Sequence, residues 1–391
     1  MSAGSYCFRS FDGLMPQSEH MRHSMSHPQC MMATMPMTMT MSISAPHTGR
    51  DDPLYPRARQ LILFRRDPGL ATLQRALRIG HQHAMHLRDA MCGDILHHDK
   101  QTQQWHIIEA AYVGPDLLEP EKIAQAAEWI RNAQCMVVAA GAGMGIDSGL
   151  PDFRGDNGFW RAYPALGQSG LRFEDIASPR AFAERPATAW GFYGHRLQLY
   201  RATAPHAGFD LLHAWGQRMP QGCFVFTSNV DGHFQKAGFP PSRVYECHGS
   251  IHRLQCTANC NGDIWGTSDL HPQVDGAACE WQGELPHCPH CGALARPNIL
   301  MFNDWHWNSE RSDRQRALLD RWLDSVQTPP LVVEIGAGRA VPTVRHFSQR
   351  MQQRGSPLIR INLHEANIHN PNAIELALGA KAALTGMAAH L

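Results

Sequence analysis

Short, almost wholly apolar segments recur along this chain and limit the folds that it can adopt. Each segment runs into glycine or polar residues, and stretches with helical periodicity lie between the segments. Apolar strands that alternate with helices are typical of a parallel sheet that is covered on both faces. We therefore predict an α/β fold with a doubly wound, Rossmann-like parallel sheet, whose ligand binds beyond the carboxyl ends of the strands. The predicted strands are CMVVAA (135–140), CFVFTSN (223–229), LVVEIGAG (331–338) and PLIRIN (357–362).

An amphipathic helix precedes the first of these strands. The segment EPEKIAQAAEWIRNAQ (119–134) has Pro120 near its start, where proline is tolerated. We place the main domain at residues 116–391. The apolar face of the helix is predicted to consist of Ile123, Ala126, Ala127 and Ile130.

The residues before the main domain divide into two parts. Ten of the 18 methionines lie within the first 50 residues, where no helical or strand periodicity is present. We interpret residues 1–53 as a disordered tail. Residues 54–115 are predicted to form an accessory segment, in which LILF (61–64) fits a short strand and residues 71–91 fit a helix.

The charge balance gives no support for nucleic acid or an anionic membrane as a direct partner. The formal net charge is zero over 391 residues, so no long-range field attracts such partners. No apolar run has the length of a membrane span, and the first residues lack a secretory signal. We expect a cytoplasmic protein; the acid-poor first 50 residues leave an organelle address open.

The most specific pattern is the segment GAGMGIDSGLPDFRG (141–155). Gly141 and Gly143 follow a predicted strand and permit close approach of the backbone to a pyrophosphate. The third glycine of the G-x-G-x-x-G fingerprint is replaced by Ile146, so the turn alone is a weak signal. The continuation adds an aromatic face at Phe153 and a guanidinium at Arg154, which suits phosphate.

This segment resembles the first signature of the sirtuin family of NAD-dependent protein deacylases. Further blocks resemble later parts of that family and follow in the family's order, from about residue 119 to residue 363. One such block alone would be only a hypothesis, but so many in order are specific. The blocks are TSNVDGHFQKAG (227–238), YECHGS (245–250), two cysteine pairs, ARPNILMFND (295–304), EIGAG (334–338) and INL (361–363).

The resemblance implies an enzyme that consumes NAD and removes acyl groups from lysine side chains of proteins. His248 is implied to be the general base on a ribose hydroxyl, while Asn229 and Asp231 hold the ribose and the nicotinamide amide. The products would be free lysine, nicotinamide and O-acyl-ADP-ribose. A histidine with a pKa near neutrality suits this proton transfer. The residues implied to bind NAD are Gly141, Ala142, Gly143, Met144, Gly145, Asp152, Phe153, Arg154, Ser228, Asn229, Val230, Asp231, Gly336, Ala337, Gly338 and Asn362.

Two cysteine pairs indicate a metal site. Cys256 and Cys260 form one pair, Cys288 and Cys291 form the other, and four thiolates at such spacing fit a closed tetrahedral zinc site. The resemblance implies a structural Zn²⁺ here, in a small module at about 250–295. Cys279 lies between the pairs and is an alternative ligand.

Two further pairs of residues bear on the substrate. Tyr193 and Arg196 are three residues apart and share one face of a predicted helix. The resemblance implies a receptor for the distal carboxylate of succinyl- or malonyl-lysine, to which a guanidinium and a phenol are suited; the alternative is an ordinary half-buried helix face. Ile299 and Leu300 are implied to flank the acyl-lysine channel, where the substrate backbone adds as a strand.

Several positions depart from the family's pattern. Gly145, Ser228 and the turn at 336–338 lack hydroxyl or amide groups that the family uses for NAD, and Asn303-Asp304 replaces the usual Gly-Glu. Two alternatives to a deacylase therefore stay open, a sirtuin-fold mono-ADP-ribosyltransferase and a non-catalytic sensor of NAD or ADP-ribose. The presence of His248 argues against the sensor, because binding alone needs no general base.

Overall fold

A computed structural model describes residues 49–65, 68–92, 95–99, 103–107, 120–151, 162–363, 365–368 and 370–391. Most of the predicted tail and the segment with Asp152, Phe153 and Arg154 lie outside the described residues. Within the described part of the chain, no helix is long and apolar enough to cross a membrane.

Strands and helices alternate along most of the described chain. The strands are β1 (Leu96–Asp99), β2 (Gln104–Ile107), β3 (Met136–Ala140), β4 (Cys223–Thr227), β5 (Val244–Glu246), β6 (Gly249–Cys256), β7 (Ile264–Gly266), β8 (Val274–Asp275), β9 (Glu280–Trp281), β10 (Ala295–Ile299), β11 (Leu331–Ile335), β12 (Leu358–Ile361) and β13 (Ala373–Leu376). The helices are α1 (Tyr55–Arg65), α2 (Leu70–Leu77), α3 (His81–Ala90), α4 (Pro120–Asn132), α5 (Pro164–Gln168), α6 (Phe173–Ile176), α7 (Pro179–Glu184), α8 (Pro186–Ala202), α9 (Ala207–Arg218), α10 (His233–Lys236), α11 (Glu310–Ser325), α12 (Thr343–Gln353) and α13 (Ala380–Ala388). Short 3-10 helices occupy Gly49–Asp51, Ala142–Ser148 and Pro241–Arg243.

Six parallel strands form the central sheet, in the order β13–β12–β11–β3–β4–β5. The four predicted strands are β3, β4, β11 and β12, which occupy the middle of this sheet. Their largely apolar runs made them recognisable, because both faces of such strands are covered. The fold class is therefore confirmed. The edge strands β5 and β13 were not predicted.

Helices cover both faces of this sheet. Val138 joins the buried cluster on one face and Val137 joins the cluster on the other face, as the two-residue period of a strand requires. Helix α4 packs against the first face, and Trp322 of α11 and Phe347 of α12 pack against the second. The predicted inner face of α4 is confirmed, because its buried residues are Ile123, Ala126, Ala127 and Ile130.

A smaller antiparallel sheet lies beside the main one, in the order β10–β6–β7, together with the ribbon of β8 and β9. Helix α8 packs against this region, where Trp190 and Trp281 contact each other in a buried aromatic cluster. Strand β6 begins directly after His248, so the small sheet and the central sheet meet at that residue.

The accessory module comprises the described residues between 49 and 107 and has a buried apolar cluster of its own. The prediction of a strand at LILF is wrong, because residues 61–64 lie within the eleven-residue helix α1; a four-residue apolar run does not distinguish the two. The single helix predicted at 71–91 is two helices, since Arg78 takes a left-handed conformation with φ of 56° and ends α2. The hairpin of β1 and β2 completes the module.

Candidate active site

Two glycine turns pack tightly against each other at the carboxyl ends of β3 and β11. A Cβ atom added to Gly141 would lie 2.8 Å from the carbonyl oxygen of Gly336, and one on Gly143 would lie 2.6 Å from the Cα of Gly336. Gly336 itself has a φ of +62°, which favours glycine. These positions therefore require glycine for backbone packing, whether or not a ligand is bound.

Open space borders these turns. Ala142 is exposed, and a Cβ on Gly338 would meet no described atom within 4 Å. Met144 and Gly145 are buried behind the turn, and the Met144 carbonyl is 3.0 Å from Nε2 of His206. Backbone groups at the end of a parallel strand are suited to a pyrophosphate, so the arrangement fits a dinucleotide.

Asn229 connects the next strand to the first glycine turn. Its Nδ2 donates to the Gly141 carbonyl at 3.0 Å, and its backbone N–H donates to Oγ1 of Thr227 at 3.0 Å. Ser228 donates its backbone N–H to Ala140 at 3.1 Å. The asparagine amide is therefore held in one orientation at the sheet edge.

Asp231 is buried and fixed from two sides. Its Oδ1 accepts the backbone N–H of His233 at 2.8 Å, and its backbone carbonyl lies 2.9 Å from Nε2 of His252. Val230 accepts the N–H of Ile251 at 3.0 Å. His252 therefore supports the backbone that carries Asp231.

Asn362 completes the set at the end of β12. Its Nδ2 donates to the Ala337 carbonyl at 2.7 Å, so its side chain braces the second glycine turn. The predicted residues of β3, β4, β11 and β12 thus meet along one edge of the sheet. The three positions Asp152, Phe153 and Arg154 lie outside the described residues, and nothing tests their assignment.

His248 lies at the junction of the two sheets, between β5 and β6. Its Nε2 is 3.3 Å from Oγ1 of Thr343, and its backbone carbonyl accepts the N–H of Leu300 at 2.9 Å. Burial lowers the pKa of His248 below its ordinary value of 6.5. The imidazole is therefore neutral at pH 7 and able to accept a proton. Sequence reasoning missed Thr343, since nothing in a lone threonine signals this contact.

The segment that follows β10 begins beside His248. Ile299 is buried, whereas Leu300 is 38% exposed beside His248. Asp304, at a position that departs from the family, is wholly buried and accepts two hydrogen bonds from Arg296, at 2.6 and 2.9 Å. It also accepts the backbone N–H groups of Met301 and His306, so this carboxylate pins the loop rather than facing solvent.

Tyr193 and Arg196 lie on one face of α8, as predicted, and both are buried. The guanidinium lies between aromatic rings, 5.9 Å from the Tyr193 centroid and 5.3 Å from that of Tyr200. Its Nε and Nη2 donate to the Tyr200 hydroxyl at 3.0 and 2.6 Å. Burial raises the pKa of Tyr193 to about 12, so its phenol stays protonated. Tyr200 was not predicted to belong to this cluster.

The four predicted cysteines converge. Their Sγ atoms all lie within 4.8 Å of one another, and the closest pairs are Cys256 with Cys291 at 3.6 Å and Cys260 with Cys288 at 3.7 Å. A tetrahedral zinc with Zn–S bonds of about 2.3 Å separates its sulfurs by about 3.8 Å, so the thiols fit Zn²⁺. Cys279 is not in this group; it is buried where its backbone contacts Gly191 of α8.

Comparison with known proteins identifies the family. The model of the Sir2 family matches residues 141–317, a range that includes the first glycine turn, Asn229, His248 and all four cysteines. This stretch of the chain, residues 141–317, is of the Sir2 family. The sirtuin resemblance is thus confirmed.

Individual Sir2-family relatives cover much of the chain. An NAD-dependent protein deacylase of Thermococcus kodakarensis is 27% identical over 248 residues, covering 63% of this chain and 86% of the relative. The mitochondrial NAD-dependent protein deacylase sirtuin-5 of Canis lupus familiaris is 27% identical over 246 residues, covering 59% of this chain and 73% of the relative. The crystal structure of a Sir2 homolog–NAD complex has a TM-score of 0.53 at 24% identity, covering 68% of this chain and 92% of the other. That last likeness supports the fold.

Proposed function

We propose that the protein is an NAD-dependent protein-lysine deacylase that releases nicotinamide and O-acyl-ADP-ribose. The observation that carries this proposal is that His248 follows β5 at the sheet edge where the two glycine turns and Asn229 also lie. Membership of the Sir2 family supports the same reading, since relatives are named NAD-dependent protein deacylases.

The residues at the sheet edge would bind NAD, which supplies the ADP-ribosyl group that accepts the acyl group. The turns at Gly141 and Gly336 would place backbone groups against the pyrophosphate. Asn229 and Asp231 would hold the ribose and the nicotinamide amide, because both side chains are already fixed by their own backbone contacts. Fixing polar groups before the ligand binds reduces the reorganisation that the reaction requires.

His248 would remove a proton from a ribose hydroxyl. Its lowered pKa keeps the ring unprotonated near neutral pH, which a general base requires. Thr343 would orient the ring through its hydroxyl, and the hydrogen bond from Leu300 would fix the backbone below it. Thr343 would thus fix the ring of His248, and Leu300 would fix its backbone.

The substrate would be an acylated lysine of a protein, bound next to the exposed Leu300 and the buried Ile299. The bonds between Asp304 and Arg296 make this segment rigid, so that a substrate backbone can add along it.

The described cysteines are free thiols, which suits a reducing compartment. A cytoplasmic location without nucleic-acid contact is part of the proposal.

We infer that a dicarboxyl acyl group, succinyl or malonyl, is preferred over acetyl. A buried guanidinium that is already charged and held by Tyr200 would pair with the distal carboxylate. Tyr193 would add a phenol donor, since its raised pKa keeps it protonated.

The four thiols would hold a structural Zn²⁺, because closed coordination leaves no position for a substrate.

The test supplies the purified protein with NAD and matched peptides that carry acetyl-, malonyl- or succinyl-lysine. Loss of the acyl group with formation of O-acyl-ADP-ribose supports a deacylase, and faster loss of the dicarboxyl groups supports the Arg196 receptor. Faster acetyl loss keeps the enzyme class and rejects the receptor. ADP-ribose found on protein, without deacylation, would instead identify an ADP-ribosyltransferase.

A further inference from the structure

A closed ring of hydrogen bonds lies under the second glycine turn. The Ala337 carbonyl accepts Nε of Arg345 at 3.1 Å and Nδ2 of Asn362 at 2.7 Å. Glu365 closes the ring, since its backbone N–H donates to Oδ1 of Asn362 at 3.1 Å and its backbone carbonyl accepts Nη2 of Arg345 at 2.6 Å. Arg345 and Asn362 are almost fully buried. The turn at 336–338 is thus fixed by a network that depends on where the segment after β12 lies.

Leu363 lies inside this segment, between two members of the ring. Its side chain does not join the ring but packs against the buried cluster of the accessory module. That cluster includes the fully buried Leu73, Leu87 and Leu96. The accessory module and the ring therefore both contact the same short stretch of backbone.

We propose that Leu363 is a positioning residue through which the accessory module sets the affinity of the site for NAD. The inference rests on the proposed function, in which the turn at 336–338 and Asn362 bind NAD. It also assigns a role to residues 49–107, which take no part in the chemistry. Leu363 contacts no cofactor itself and acts through Asn362 and Glu365.

The physical reason is the cost of ordering a loop. A connection between two strands, such as the one from β12 to β13, opens at a low free energy when few contacts hold it, whereas burial of an apolar anchor raises that free energy. The apparent affinity of a binding site that is ordered only part of the time is reduced in proportion to the fraction of molecules in which the site is ordered. Docking of Leu363 keeps the ring closed before NAD arrives.

The experiment compares Leu363→Ala and Leu87→Ala in the full chain. Leu87→Ala loosens the cluster against which Leu363 packs, without touching the ring. Calorimetric titration should show that each variant weakens NAD binding by about tenfold, within the usual range of coupling between sites. The double variant should lose little more than either single variant. The affinity for an acyl-peptide should not change.

Leu318→Ala is the matched control, because Leu318 is also partly buried but packs against the cluster of α11 and β11. It should leave NAD binding as it is. Hydrogen exchange at the amides of Glu365 and Gly336, measured without NAD, gives a readout that does not need the proposed function. Faster exchange at both amides in Leu363→Ala is expected.

Three results would overturn the proposal. The first is a folded Leu363→Ala protein with unchanged exchange at Glu365 and Gly336. The second is an NAD affinity of that variant within twofold of the wild type, and the third is an equal loss of acyl-peptide affinity. A wild-type protein that binds no NAD would reject the proposed function and, with it, this role of Leu363.

Discussion

Nε2 of His248 lies 3.3 Å from Oγ1 of Thr343, the first residue of α12. Helix α12 follows the turn at 336–338 closely along the chain, so one hydroxyl links the proposed general base to the proposed cofactor turn. Burial is the cause that lowers the pKa of His248, and Thr343 is therefore expected to orient the ring rather than to set its protonation.

The pH dependence of kcat/KM should report this arrangement. Because the pKa of His248 is below 6.5, the rate should be constant from pH 7 to 8 and fall only below pH 6.5, as the base takes up a proton. Thr343→Val should lower kcat by about tenfold without shifting the pH at which kcat/KM begins to fall, and Thr343→Ser should retain activity. A shift of that pH by a full unit in Thr343→Val would contradict the orienting role.

Acyl selectivity should depend on Tyr200. Tyr200→Phe removes the hydroxyl that accepts two bonds from Arg196, so kcat/KM for a succinyl-peptide should fall about tenfold, which corresponds to about 1.4 kcal/mol. The rate with an acetyl-peptide should stay within twofold. Equal losses on both substrates would reject the receptor.

Metal content and stability should depend on the four thiols. Cys291→Ser removes one exposed ligand, and Cys92→Ser removes an exposed thiol that lies outside the cluster. Atomic absorption should find about one zinc per chain in the wild type and in Cys92→Ser, and little in Cys291→Ser. Loss of zinc should lower the free energy of unfolding by about 4 kcal/mol if the metal is present at about 1,000 times its Kd. Metal loss with an unchanged Tm would contradict a structural role.

His233 should destabilise the protein at low pH. Its ring is fully buried, and neither nitrogen has a hydrogen-bond partner among the described residues. Burial lowers its pKa, opposed by Asp231 and assisted by Lys236 and His252; His206 also faces it. The unfolded chain therefore takes up a proton below about pH 6.5 that the folded state resists, so stability is retained above that pH and falls below it.

The variant His233→Leu removes the buried imidazole whose nitrogens lack hydrogen-bond partners among the described residues. The free energy of unfolding should rise by about 1 kcal/mol at pH 7.5, and the gain should grow as the pH falls to 5.5. Denaturant titrations at both pH values check this, with the exposed His346→Ala as a control that should change little. A His233→Leu protein that is less stable at both pH values would show that its packing outweighs its polarity.

Much of the fold could be predicted because its central strands are extreme in composition. Strand β3 is buried at every residue and reads as an unbroken apolar run, and helix α4 has a clear apolar stripe. Edge strand β5 has only three residues, too few for a pattern. The run LILF was misassigned because an apolar run of that length is equally compatible with a strand and a buried helix.

The residues of the candidate site also divide into those that the sequence made recognisable and those that it did not. The four cysteines were recognisable from spacing alone, since metal ligands fall at fixed intervals, and their convergence bears this out. Thr343 and Tyr200 were not recognisable, because their contacts with His248 and Arg196 depend on the packing of separate turns of chain. Leu363 could not be found either, since its partner cluster comes from the other end of the chain.

The central claim is that His248 serves a reaction that couples cleavage of NAD to lysine deacylation. Quantitative mass spectrometry of nicotinamide, free-lysine peptide and O-acyl-ADP-ribose, in one reaction with NAD and a succinyl-peptide, tests it most directly. The three products should appear in equal amounts with the wild type, and His248→Ala, still folded, should form them at least about a hundredfold more slowly. Nicotinamide released without an equal amount of free-lysine peptide, or full turnover by His248→Ala, would contradict the account.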